Sequence, residues 1–297
     1  MRVAIAGGTG FLGRAITRAL LDSGHAVRVI SRSQPSRNPL DSRTEWRKGD
    51  VTEPDTLASA LEGCDAVVDA VQFPNSPMED PGKGFTFERI DLQGTKNLVD
   101  AARTAGVPLF IGLSGAGAAA GAQYHWLRFK WDEEEYIRQS GLQFVIFRPS
   151  WVYGPGDVAL NRMLGFGRFL PFIPIVGSGR TRISPLFVDD LAAHVVAALA
   201  NERALGRTFD IGGPEVLTMN EIVRTALRAS GKRRFLFPQP KIVMKAIASV
   251  VQFAPGRPLT PDGVDFVTMD GVTDNGPLRE TFGLRLTPLE EGLRSYL

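Results

Sequence analysis

Cysteine, histidine and tyrosine are scarce in this chain of 297 residues: it has one, three and four of them. Cys64 alone cannot build a disulfide framework or a CxxC metal site. His25, His125 and His194 show no ligand spacing, so no metal is expected. Charge of one sign is lacking too. Lys plus Arg is 34 against 32 Asp plus Glu, a net of +2, which argues against binding nucleic acid through counterion release. Long hydrophobic runs are also missing. The longest stretch without formal charge, 104–127, contains Pro108, glycines, Gln123 and His125, and fits a strand and loop better than a membrane span. The opening run Arg2–Ala6 is too short for a signal peptide and reads as a buried strand. Residues 242–255 are apolar but broken by Lys245 and read as a packed helix, with a peripheral membrane contact as the alternative. A reduced, cytoplasmic protein is expected.

Apolar residues make up 43 % of the chain. A chain of this size buries about three quarters of its unfolded surface, so a full core needs no staples. Strand-like runs at Arg2–Ala6, Ala26–Ile30, Ala66–Val71, Pro108–Leu113 and Gln143–Phe147 alternate with helix-period segments at Leu12–Ser23, Asp55–Leu61, Asp91–Ala105 and Leu127–Ser140. That alternation predicts an α/β fold with a doubly wound parallel sheet over residues 1–150. Residues 151–297 read as a smaller α+β region interleaved with the first, and Gly165–Gly179 reads as loop.

Gly7-Gly8-Thr9-Gly10-Phe11-Leu12-Gly13 follows the first strand and opens a helix. In a Rossmann-like unit this pattern wraps a pyrophosphate: Gly7 for the turn, Gly10 for backbone approach and Gly13 for close packing. An NAD site places an acid about twenty residues later, at the end of the second strand. Here that position reads Ser31-Arg32-Ser33, with Arg37 close behind. Hydroxyls and guanidinium groups suit a 2′-phosphate, so NADP is the expected cofactor and NAD the alternative.

On these residues the sequence resembles the extended or atypical short-chain dehydrogenase/reductases. Asp50-Val51 resembles the pair those proteins place against adenine, and Asp69-Ala70-Val71 the strand end lining the cofactor. Ile90 to Leu98 is similar to the family helix with its structural Asn, and Ser114 ends the fifth strand. Arg148 to Gly154, with Pro149 and Val152, resembles the segment at the nicotinamide end. Within the superfamily the chain is similar to proteins related to the nucleotide-binding accessory subunit of respiratory complex I. The matching segments include Ile183–Leu191, Phe209–Glu215 and Leu286–Gly292.

The family uses Tyr-x-x-x-Lys, two side chains about 40° apart on one helix face. This chain reads Trp126-Leu127-Arg128-Phe129-Lys130. An indole N–H donates a hydrogen bond but is no proton-transfer acid near neutral pH. Lys130 and Ser114 remain as candidate catalytic residues, with Tyr124 or His125 as stand-in acids. Trp126 reads either as helix packing or as an apolar wall for a flat substrate. The segment Phe166–Phe172 reads as a lid or an oligomer edge, Asp132–Glu135 as a solvated helix face, and Asp189-Asp190 as a helix cap. Two functions stay open. One is an NADPH-dependent oxidoreductase acting on a small apolar carbonyl or quinone-like compound. The other is a non-catalytic NADP(H)-binding scaffold, assembly factor or redox sensor in contact with a respiratory complex. A homo-oligomer fits either, and a sugar-nucleotide epimerase fits less well without the tyrosine.

Overall fold

Strands covered on both faces must be apolar almost throughout, and Val3 to Ala6 are all buried. The computed structural model describes residues 1–35, 39–169, 171–254, 257 and 259–297, without the side chains of 162 and 166–169. Its central sheet joins β1 (Arg2–Ala6), β2 (Ala26–Ser31), β3 (Glu45–Lys48), β4 (Ala66–Asp69), β5 (Leu109–Leu113), β6 (Gln143–Pro149) and β11 (Arg207–Ile211). The order is β11-β6-β5-β4-β1-β2-β3, every pairing parallel. The order reverses between β1 and β4, and such a switch point opens a crevice at the carboxyl ends of the strands.

Alternate residues feed two cores. Val3, Ile5, Val27 and Val29 pack with α1 (Phe11–Asp22) and α6 (Val188–Ala198). Ala4, Ala6 and Ile30 pack with α2 (Ala58–Leu61), α3 (Gln93–Thr104) and α4 (His125–Gln139). Arg28 is buried on the sheet. Its guanidinium donates to Glu45 Oε2 at 2.9 Å and to the Ala60 and Glu62 carbonyls at 3.0 and 2.7 Å, which keeps the charge satisfied. Strand β3, Glu-Trp-Arg-Lys, was not expected from apolar pattern because it is a charged edge strand.

The second half returns to the first. β11 closes one sheet edge against β6, and among the described residues three small pairs lie outside the sheet. They are β7 (Val152–Tyr153) with β10 (Leu186–Phe187), β9 (Arg182–Ile183) with β12 (Leu217–Thr218), and β8 (Phe172–Val176) with β13 (Phe235–Gln239). The expected loop at Gly165–Gly179 is instead the end of α5 (Ala159–Phe169) followed by β8. Leu160 and Leu164, one helical turn apart, are both buried, and this packing outweighs the helix cost of Gly165. The chain continues through α7 (Met219–Ala229), α8 (Lys241–Val251), α9 (Pro261–Val267), α10 (Gly276–Phe282) and α11 (Leu289–Arg294).

Asp189 and Asp190 lie in the first turn of α6 and do not cap it. Asp189 pairs with Arg18 of α1 at 2.5 Å. Asp190 is buried and accepts from the Thr287 amide and hydroxyl at 2.7 and 2.8 Å, tying α6 to the C-terminal segment. Asp190→Ala would leave the Thr287 donors without an acceptor. A loss of about 1–3 kcal/mol is expected in denaturant unfolding; a change within error would show that this tie carries nothing.

Candidate functional site

The turn after β1 is built by geometry that side chains would block. Gly7 has φ +79°, and a Cβ there would lie 2.4 Å from the Ala70 carbonyl oxygen. A Cβ on Gly13 would lie 2.3 Å from the Gly7 carbonyl oxygen, so the first turn of α1 presses directly on the loop. Gly10 is the N-cap of α1; no side chain caps the helix and no acid occupies its first turn. First-turn amides have no partner within a helix. This end is therefore open to an anion, with its positive dipole end uncompensated.

A groove of about 360 Å³ runs along this turn. It brings together Gly7, Thr9, Gly10, Phe11, Leu12, Ser31, Arg32, Asp50, Val51, Ala70, Val71, Ser114 and Lys130, all expected from sequence. Gly13 lies behind the turn, and Pro149 and Val152 are not among the lining residues. Arg37 is outside the described residues. The groove also takes in Gln72, Phe73 and Pro74 after β4, and Ile90. Sequence reasoning passed over Gln72, Phe73 and Pro74 because they are loop residues with no motif of their own, and read Ile90 only as the start of the helix segment Ile90–Leu98.

Second contacts hold the walls. Asp50 Oδ1 accepts from the Thr52 amide and hydroxyl at 2.9 and 2.8 Å. Asn97 donates to the Val51 carbonyl at 2.7 Å, giving that helix asparagine its structural role. Ser31 accepts from the Trp46 indole at 3.0 Å. The groove thus has a cradle for phosphates, a basic and hydroxylic end at β2, and one carboxylate, Asp50, whose Oδ1 is already engaged. These residues fit a pyridine dinucleotide.

At the other end, both candidate catalytic residues are drawn into buried ionic clusters. Lys130 Nζ lies 2.8 Å from Asp91 Oδ1 and 3.1 Å from Glu133 Oε2. Asp91 reaches Lys130 from the wide π-type turn Phe87–Leu92 that leads into α3. Asp69, at the end of β4, accepts from Thr95 at 2.8 Å and adds its charge to the same cluster. Burial works against the Lys130 ammonium, but Asp91 and Glu133 outweigh it and hold the lysine charged far above the usual range. Burial also pushes Glu133 up to about 8 against the pull of Lys130, and raises Asp69 and Asp91.

Ser114 donates to Glu134 Oε1 at 2.6 Å, and Glu134 also binds Arg148 at 2.7 and 2.6 Å and Arg138 at 2.5 Å. The acidic run 132–135 is therefore only partly a solvated face: Asp132 is exposed and Glu135 partly so, while Glu133 and Glu134 turn inward. Glu133 and Glu134 are buried because Lys130, Arg138 and Arg148 supply matching cations. A void of about 10 Å³, the size of one water, lies between Asp69, Thr95, Ser114, Glu133 and Glu134.

Trp126 is buried in an aromatic cluster with Phe73 and Phe87, not spread along the groove. Its indole N–H has no partner among the described residues. Tyr124 stacks on it at 4.5 Å and stands at the N-cap of α4, which begins at His125. His125 Nε2 lies 2.9 Å from Glu79 Oε2, and Asp262 brings a third ligand-type oxygen near them, all within 4.8 Å. Neither Tyr124 nor His125 lines the groove. The lid reading of 166–172 falls mostly on side chains outside the description.

Comparison with known proteins matches this geometry. A model of the NAD(P)H-binding family matches residues 7–164, and one of the NAD dependent epimerase/dehydratase family matches residues 123–212. The mitochondrial NADH dehydrogenase (ubiquinone) 1 alpha subcomplex subunit 9 of Arabidopsis thaliana is 28 % identical over 229 residues. That alignment covers 73 % of this chain but 54 % of the relative, about half its length. Photosystem II assembly factor Ycf39 of Synechocystis is 28 % identical over 316 residues, covering 100 % of this chain and 90 % of the relative. The Thermus thermophilus UDP-glucose 4-epimerase structure with NAD has the same fold, with a TM-score of 0.75 at 20 % identity over 99 % of this chain and 97 % of that one. The expected resemblance to the complex I subunit is borne out. With the first model covering more than half its length, the chain belongs to the NAD(P)H-binding family.

Proposed function

We propose that the protein holds NADP(H) as a structural or sensory ligand and works in the assembly or stability of a redox complex. One observation carries this reading: Lys130 is closed between Asp91 and Glu133, while the usual acid position is Trp126, buried among aromatics. The lysine that would otherwise bind ribose and acidify a phenol is spent on two carboxylates, and there is no phenol beside it. The phosphate cradle is meanwhile complete. The names of two relatives, a complex I subunit and a photosystem assembly factor, support a role beside a partner protein.

The preference for NADP rests on Ser31 and Arg32, which line the groove at the end of β2, where the chain carries no acid at the position an NAD site uses. Arg32 would meet the 2′-phosphate, the open end of α1 the pyrophosphate, and Val51 the adenine side. A bound nicotinamide supplies or accepts hydride. Among the lining residues only Ser114 and Lys130 offer polar atoms from the end of β5 and from α4, and both are committed to carboxylates.

A second reading, an oxidoreductase for an apolar carbonyl or quinone-like compound, keeps one specific support. Three buried carboxylates face one ammonium, so the cluster retains a proton at neutral pH. Glu133, whose Oε1 has no hydrogen-bond partner among the described residues and whose carboxyl is pushed up to about 8 by burial, is the seat assigned to it in this reading. The water-sized void links Glu133 to the Ser114 wall, and a water there would carry that proton toward the groove.

Arg32→Glu should weaken NADP(H) binding about 10- to 100-fold while leaving NAD(H) binding little changed, as loss of a charge-assisted contact implies. Calorimetric titration checks this, and equal loss for both nucleotides would remove the NADP assignment. NADPH incubated with the protein and a panel of quinones and carbonyls should stay reduced. Sustained oxidation that disappears in Glu133→Gln would instead favour the second reading.

A carboxyl held above its unfolded value keeps its proton in the folded state where the unfolded chain has released it. Stability should therefore fall as pH rises from the ordinary glutamate range to about 8. The slope approaches ~1.4 kcal/mol per pH unit for one proton. Glu133→Gln should flatten that slope in denaturant titrations, and an unchanged slope would mean that Glu133 is not the proton holder.

A further inference from the structure

Helix α8 carries its charges inward and its apolar side chains outward. Lys241 and Lys245 reach Oδ1 and Oδ2 of Asp265 on α9 at 2.9 and 2.7 Å, and Ala248, on the same side, is the buried residue of the helix. The opposite stripe is Ile242, Val243, Ile247 and Val250, continued by Phe253 just past the helix end. Ile242 is 84 % exposed, Val250 73 % and Phe253 79 %. The helix was expected to be packed, with a membrane contact as the alternative, and the packed side is the one with the lysines. Upstream, Phe235 and Phe237 stand on one face of β13, two residues apart, and are 83 % and 54 % exposed. Exposed apolar surface of this kind marks a site of association.

The charge around it selects the occupant. Residues 222–261 contain eight Lys and Arg and no Asp or Glu, whereas the other 257 residues carry 26 cations and 32 acids; of the eight, Lys241, Lys245 and Arg257 are paired with Asp265 and Asp80 from outside the segment. Lys232-Arg233-Arg234 sits immediately before Phe235. A second copy of this chain would present the same cationic surface and be repelled. An anionic leaflet matches both features: the polybasic run meets lipid phosphates while the apolar stripe enters the headgroup–acyl boundary. No helix among the described residues is long and apolar enough to cross a membrane, so the contact would lie in the surface plane.

We propose that the outer face of α8 and the exposed phenylalanines of β13 form a docking surface for an anionic lipid bilayer. The surface is separate from the nucleotide groove, and the proposal stands whichever reading of that groove holds.

The test uses the full chain with vesicles of phosphatidylcholine alone or mixed with phosphatidylglycerol. The protein should co-sediment with the mixed vesicles, far less with the neutral ones, and less as salt is raised. The double variant Ile242→Glu, Val250→Glu should lose vesicle binding at least tenfold, and Lys232→Glu, Arg233→Glu should lose its preference for the anionic lipid. These positions are on the surface, so both variants should keep the circular dichroism and nucleotide affinity of the parent. Absence of sedimentation with mixed vesicles overturns the proposal. So does binding that survives the Ile242/Val250 variant, or a dimer in solution that this variant dissolves while vesicles bind neither form.

Discussion

A single ammonium, that of Lys130, answers three buried carboxylates. Asp69 comes from the end of β4, Asp91 from the wide turn before α3, and Glu133 from the next turn of α4. Removing one partner from such a buried ionic set leaves an uncompensated charge, at a cost of about 3–5 kcal/mol. The cluster therefore fixes how three segments meet beneath the groove, and it fixes the chemistry left to the groove above it. A lysine engaged on both sides is a structural cation first. Ser114 follows the same logic, because its hydroxyl proton is given to Glu134, itself bound by Arg138 and Arg148.

The opposite end of the groove has the contrary character. There the backbone is left open: an uncapped helix start, a glycine turn that would clash with any Cβ, and no acid in the first helical turn. One end invites an anion, while at the other Lys130 and Ser114 are already engaged by carboxylates. That asymmetry supports the proposed role of holding a dinucleotide by its phosphates without acting on its ring. It accords with a relative named for assembly.

Legibility in the sequence followed burial. Strands covered on both faces read directly as apolar runs, and the phosphate turn read from its glycines because backbone geometry leaves few other residues possible. The charged edge strand Glu45–Lys48 gave no such signal. Neither did α5, where Gly165 and Gly167 mask a helix held by Leu160 and Leu164. The ionic clusters were illegible for a different reason. Asp91 and Lys130 are 39 residues apart, and only the packed turn before α3 makes them neighbours. A local cue existed: Asp91 stands inside the apolar run Ile90–Leu92, an expensive place for an unpaired charge. Helix α8 misled in the other direction, because its composition suggested packing while its lysines took the inner face.

The central claim is that the chain binds a phosphorylated pyridine dinucleotide and leaves it unreacted. Calorimetric titration of the purified protein with NADPH, followed by the nicotinamide absorbance of the resulting complex in air, addresses it most directly. The account predicts saturable uptake of one nucleotide per chain, tighter for NADPH than for NADH, and an absorbance that persists. No heat with either coenzyme, or rapid loss of the reduced form once bound, would contradict it.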